Sequence, residues 1–108
     1  MVLFRRLLGD VLRSRRMQRG MTLREVSADA RVSLGYISEI ERGQKEASSE
    51  LLASLCGALD VALSDVLREV SDAVATEERS LEFAARVLAA TPSPVGVRRA
   101  GDVVASAA

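Results

Sequence analysis

Apolar residues recur at helical spacing along most of the chain, and residues that start or stop helices fall between the runs. Leu8, Val11, Leu12 and Met17 predict a first helix from about Arg5 to Gln18, closed by Gly20. A second opens at Thr22, with Glu25 at capping-box spacing, and lines a buried stripe with Leu23, Val26 and Ala30. A third starts at Ser33, buries Ile37 and Ile40, and stops at Gly43. Only Arg31 and Val32 remain between those two. A fourth runs from Ser48 or Ser49 to about Leu59, with Glu50 in its first turn, where the helix dipole favours an anion. A fifth begins near Leu63 or Ser64 and carries Val66, Leu67, Val70 and Val74. One more is expected between about Thr76 and Ala90, where Leu81, Phe83, Ala84, Val87 and Leu88 recur. From Thr91 onward, Pro92, Pro94, Gly96 and Gly101 among small residues predict a flexible tail. The chain has no internal repeats.

Two short capped helices joined by a tight turn, as over Thr22 to Gly43, make a helix-turn-helix, so the pattern points to a DNA-binding regulator. The expected fold class is all-α, a five-helix domain followed by a helical extension and a tail. Its parts are a DNA-binding domain over 1–67, a dimerisation extension over 68–90 and a flexible tail over 91–108.

Ser38-Glu39-Ile40-Glu41-Arg42-Gly43 resembles the ending of the recognition helix in phage-repressor-like domains of the Cro/C1 type, also called XRE. The likeness extends from about Leu8 to Leu67. The wider stretch Thr22 to Glu50, running on into Leu51 and Leu52, is similar to the regulators of Clp protease genes, the ClgR family. That resemblance implies a homodimer binding a roughly palindromic operator and activating genes for ATP-dependent proteolysis. It also implies a partly buried ion pair between Arg16, at the end of the first helix, and Glu41, at the end of the recognition helix. Four positions depart from the superfamily pattern. Leu23 stands where a phosphate-bridging Gln is common, and Arg24 is a candidate to serve in its place. Arg31 stands at a turn position usually held by Gly, where a positive φ costs an L-residue about 1 kcal/mol. Either Arg31 reaches a phosphate or the turn takes another geometry. Ala47 replaces a common Pro, and Ala62 a common cap.

Composition narrows the chemistry. A chain of 108 residues suits one small domain with an appendage rather than a large catalytic cleft. With no His and one Cys it lacks ligands for a structural zinc site and a His base for a nucleophile. No catalysis, metal or cofactor is expected. Cys56, among Leu52, Leu55 and Leu59, reads as a small buried hydrophobe. No apolar run approaches the roughly 20 residues of a membrane span, and the start Met-Val-Leu-Phe-Arg-Arg is too short and charged for a signal peptide. A cytoplasmic location without membrane attachment is expected. Formal net charge is zero, yet residues 1–48 carry ten basic against six acidic side chains and the remainder five against nine. This polarity suits a DNA-facing half, although ordinary solvated charge would look the same.

A recognition helix presents its N-terminal turns to the major groove and keeps its i,i+3 apolar face in the core. On that geometry the base-contact candidates are Ser33, Leu34, Gly35, Ser38 and Glu39. Leu34 offers apolar contact to a thymine methyl, and Glu39 can accept from cytosine N4. Candidates for phosphate contact are Arg15, Arg19, Arg24, Arg31, Tyr36 and Arg42, with Tyr36 about as readily a residue packed onto the domain. Val66, Leu67, Val70, Val74, Leu81, Val87 and Leu88 are the candidate dimer interface.

Expected partners are double-stranded DNA and a second copy of the chain, with RNA polymerase and an ATP-dependent protease as further partners. The protease is expected to act through the tail, whose small-residue ending resembles bacterial degradation tags; a C-terminus without a reader is the plainer alternative. An antitoxin, pairing the same DNA head with a toxin-masking segment, is the alternative function, and an interaction adaptor that keeps the fold without reading sequence is a third.

Overall fold

The computed structural model describes residues 1–90, and the expected tail over 91–108 lies outside them. Five helices follow in order: α1 Phe4–Gln18, α2 Leu23–Ala30, α3 Leu34–Glu41, α4 Ser49–Ala58 and α5 Leu63–Ala90.

Each short helix ends through its own local chemistry. At the end of α1, Gly20 (φ 66°) donates to the Met17 carbonyl at 3.0 Å and Met21 to that of Arg16 at 3.1 Å, the reciprocal bonding of a Schellman cap. Gly43 (φ 74°) closes α3 in the same way, with Gly43 donating to Ile40 and Gln44 to Glu39. Asp60 (φ 53°) closes α4, an Asp where the motif usually has Gly. At the starts, Ser48 Oγ accepts from the Leu51 amide at 3.2 Å and fixes the first residue of α4.

Residues 1–78 form one compact unit. Its core joins Leu7, Leu8, Val11 and Leu12 of α1 to Val26 and Ala30 of α2 and Ile37 and Ile40 of α3. Leu51, Leu55, Cys56 and Leu59 close it from α4, and Val66 and Val70 from the first turns of α5. Burial pushes the Cys56 thiol above the usual thiol range. Met17 does not share the α1 face expected of it and is largely exposed. It lies nine residues beyond Leu8, and at 3.6 residues per turn that is half a revolution from the core.

The helix expected over Thr76 to Ala90 is the continuation of α5. Ser64 to Ala90 hold no Gly or Pro, and Ala73, Ala75, Glu77, Glu78 and Arg79 favour helix, so the backbone has no reason to break. Residues 79–90 belong to a second unit, and every one is exposed. Among the described residues no helix is long and apolar enough to cross a membrane.

Candidate nucleic-acid interface

The two helices that build this surface are fixed at their starts by side chains. Thr22 Oγ1 accepts from the Glu25 amide at 3.1 Å, while Glu25 Oε1 accepts from the Thr22 amide at 2.8 Å. Ser33 Oγ accepts from the Tyr36 amide at 3.1 Å, so the hydroxyl caps α3 and keeps its own hydrogen to donate outward. Between the helices Arg31 takes the left-handed conformation, φ 58° and ψ 45°. The turn therefore has the geometry usually given to Gly, and Arg31 bears its cost. The Ser27 hydroxyl donates to the Val32 carbonyl and the Val32 amide to that of Ser27, which ties the turn back onto α2. Nothing in the sequence pattern singles out Ser27, because its role depends on where the turn carries Val32.

α3 turns Ile37 and Ile40 into the core, at 2% and 1% exposure. Gly35, Ser38, Glu39 and Arg42 fall on the opposite side, and with Ser33, Tyr36 and Lys45 they line one open concavity. A Cβ built on Gly35 meets nothing within 4 Å, so this glycine is not required by packing. Leu34 is 37% exposed beside the concavity. The Glu39 carboxylate has no hydrogen-bond or ion-pair partner among the described residues. Arg42 is held along the helix, donating to Ser38 Oγ and, at 3.1 Å, to Gln44 Oε1. Its charge meets no acid there.

Gly9 sets how closely α1 approaches α3. A Cβ on it would stand 2.4 Å from the Ile40 carbonyl oxygen and 2.7 Å from that of Glu41. Beneath the same end of α3, Arg16 donates from Nε to Glu41 Oε2 at 2.7 Å and from Nη2 to Oε1 at 3.0 Å. The hydrogen bond to Glu41 outweighs the opposing effect of burial and, with the smaller charge attraction of the pair, holds the Arg16 guanidinium above its ordinary range.

The remaining candidates separate. Arg24 and Arg31 are exposed, with no acidic partner among the described residues. Arg19 stands 3.6 Å from the Asp60 carboxylate. Arg15 is turned to α5, where it pairs with Glu69 and leaves its buried Nε unpartnered, so its proposed phosphate contact is withdrawn. The Tyr36 hydroxyl donates to the Glu46 carbonyl at 3.1 Å and its ring packs on the core, which makes it a residue seated on the domain first. Val66 and Val70 are removed from the dimer interface, being 0% and 2% exposed within this chain's own core. Val74 packs against that core, whereas Leu67, Leu81, Val87 and Leu88 are exposed. Arg13 and Lys45 border the surface and were not among the candidates. Arg13 lies outside the helix-turn-helix and reaches the surface only through the packing of α1, whereas Lys45, two residues past Gly43, lies within the Thr22–Glu50 stretch and could have been read there.

A small all-α domain with a capped helix pair and a polar outer face on the second helix is a helix-turn-helix DNA-binding domain. The helix-turn-helix family matches residues 12–66. The transcriptional regulator ClgR of Mycobacterium tuberculosis is 60% identical over 77 residues, 71% of this chain and 69% of that protein. A crystal structure of the clp gene regulator ClgR from Corynebacterium glutamicum is 46% identical, with a TM-score of 0.74 over 85% of this chain and 98% of that one. The restriction-modification controller C.Esp1396I bound to a 25-base-pair operator shares the fold at 19% identity, with a TM-score of 0.63 over 68% of this chain and 97% of that one. The chain belongs to the ClgR family of XRE-type helix-turn-helix transcriptional regulators. That membership makes it a transcriptional regulator, like the relatives it matches.

Proposed function

We propose that this regulator binds a palindromic operator as a homodimer and activates Clp protease and other proteostasis genes. One observation carries the DNA-reading part. The face of α3 opposite Ile37 and Ile40 gathers a bare backbone at Gly35, a hydroxyl at Ser38 and an unpartnered carboxylate at Glu39. Arg24, Arg31, Arg42 and Lys45, on or beside α2 and α3, have no acidic partner among the described residues. Such a mixture suits base edges flanked by phosphates. Ser33, Leu34, Gly35, Ser38 and Glu39 read bases, and Arg24, Arg31 and Arg42 hold phosphates.

The clp targets rest on the likeness to the clp gene regulator of Corynebacterium glutamicum. Dimerisation is assigned to the exposed apolar side chains Leu81, Val87 and Leu88 of α5, because one head binding one half-site gives little affinity. Two heads would present their α3 helices about 34–36 Å apart, one turn of duplex. Recovery of genomic fragments bound by the full chain at a stated salt concentration tests the whole reading. Fragments upstream of clp genes, sharing an inverted repeat with half-sites one turn apart, are expected. Recovery no richer in any sequence than the input would overturn it.

A further inference from the structure

The outer face of α3 is not the only part of this surface built to meet a polyanion. Beside it lies a notch lined by Arg13 and Arg16 from α1, Leu23 from the first turn of α2, and Ser38, Glu41 and Arg42 from the end of α3. Its floor is neutral, because Arg16 and Glu41 consume one another in their two-point pair. Leu23 adds only hydrocarbon. The acid nearest Arg13 along α1 is Asp10, which lines a neighbouring depression with it but forms its ion pair with Arg6, at 3.6 Å. Arg42 leans on the neutral oxygens of Ser38 and Gln44. Arg13 and Arg42 thus border a recess whose one carboxylate, Glu41, is already paired with Arg16, and neither has an ion-pair partner among the described residues. The Ser38 hydroxyl, accepting from Arg42, keeps a hydrogen to donate into the same space.

We propose that this notch seats one backbone phosphate of the operator between Arg13 and Arg42, making Arg13 an operator-contact residue contributed by α1. The proposal rests on the DNA-binding reading and adds to it a fixed point outside the helix-turn-helix. A guanidinium on α1 and another at the end of α3, sharing one phosphate, would set the tilt at which α3 enters the groove. That phosphate carries no sequence information itself, so Arg13 acts on affinity and register rather than on base choice.

Operator binding by the full chain, titrated over salt for the unmodified protein, R13Q, R13K, R42Q and the R13Q/R42Q double variant, tests it. Neutralising Arg13 should flatten the fall of log K with log salt by about 0.9 per protomer, weaken cognate and non-cognate duplexes by the same factor, and leave the melting curve unmoved. R13K, which keeps the charge, should restore most of the slope. The double variant should lose less than the two single losses combined, because both groups act on one phosphate. An R13Q slope equal to that of the unmodified protein, with R42Q reduced, overturns the Arg13 assignment and leaves the DNA reading standing. An unmodified protein that prefers no duplex at any salt overturns both.

Discussion

Arg16 and Glu41 join the last turn of α1 to the last turn of α3 through two parallel hydrogen bonds of 2.7 and 3.0 Å, with side chains only 14% and 9% exposed. A third bond, from Arg16 Nη1 to the Met21 carbonyl at 2.9 Å, ties in the entry to α2. One side chain thereby braces all three helices that build the candidate DNA-facing surface. Removing either partner strands a charge in a poorly solvated place, so Arg16→Ala or Glu41→Ala should each cost about 3 kcal/mol, the lower end of the range for a buried pair because some solvent still reaches it. Urea unfolding followed by circular dichroism measures this. A midpoint unchanged from that of the unmodified protein would show that the pair contributes nothing net.

Two glycines separate packing from recognition. Gly9→Ala forces a methyl to within 2.4 Å of the Ile40 carbonyl oxygen and must push α1 off α3, with an expected loss of about 1–3 kcal/mol, as for overpacking. Gly35→Ala meets open space and should stabilise α3 by up to about 1 kcal/mol through helix propensity. If the groove approaches the Gly35 backbone, the same variant should bind operator more weakly while melting higher. Unchanged affinity in Gly35→Ala would remove close approach as the reason for this glycine.

Arg31 pits strain against contact. Its left-handed conformation should cost about 1 kcal/mol relative to Gly, so Arg31→Gly is expected to raise stability by roughly that amount. A phosphate contact by Arg31 would appear as weaker binding and a flatter salt dependence in the stabilised variant. A more stable protein with unaltered binding would make Arg31 a residue that the turn tolerates.

Glu39→Ala should relax preference at one base pair of each half-site by about 1–3 kcal/mol, whereas Arg42→Ala should weaken all sequences alike. Competition binding against single-base variants of the recovered operator distinguishes them. A uniform loss in the Glu39 variant would deny it base reading.

Dimerisation is best tested in the full chain. A cut after Leu67 would strip Val70 from the core and remove Glu69 and Glu77, which pair with Arg15 and Arg6, so its effect on assembly would be mixed with unfolding. Leu81→Glu with Leu88→Glu places charges on exposed positions instead, and should give monomers by sedimentation with the melting of residues 1–78 little changed. A dimer surviving both changes would place the interface elsewhere.

The Cys56 thiol offers a probe of the core. Burial keeps it neutral in the fold, so the stability it contributes is full below the unfolded thiol's pKa of about 8.5 and declines as pH rises past it. Its alkylation should be slow and follow global unfolding in denaturant. Rapid labelling of the native protein would mean that α4 opens locally.

Local chemistry determined the first four helices of this protein and their ends, though not that the fifth runs unbroken to Ala90. Thr22 with Glu25, Ser33, Gly20 and Gly43 each act within one helical turn, so the helix pair, its turn and its caps are legible residue by residue. The polar face of α3 follows from the same periodicity, since Ile37 and Ile40 leave only one side for Gly35, Ser38 and Glu39. The tertiary structure decided how groups distant in the chain are shared out. Val66 and Val70 look like any apolar stripe until the packing of α5 places them in the core. Arg15 looks like any exposed cation until Glu69, 54 positions away, comes to meet it. Arg13 comes to border the end of α3, and Gly9 leaves no room for a Cβ, only because α1 lies against that end. Periodicity states which side of a helix is apolar, but what covers that side, and which charges are left without a partner, depends on contacts between helices that no local pattern encodes.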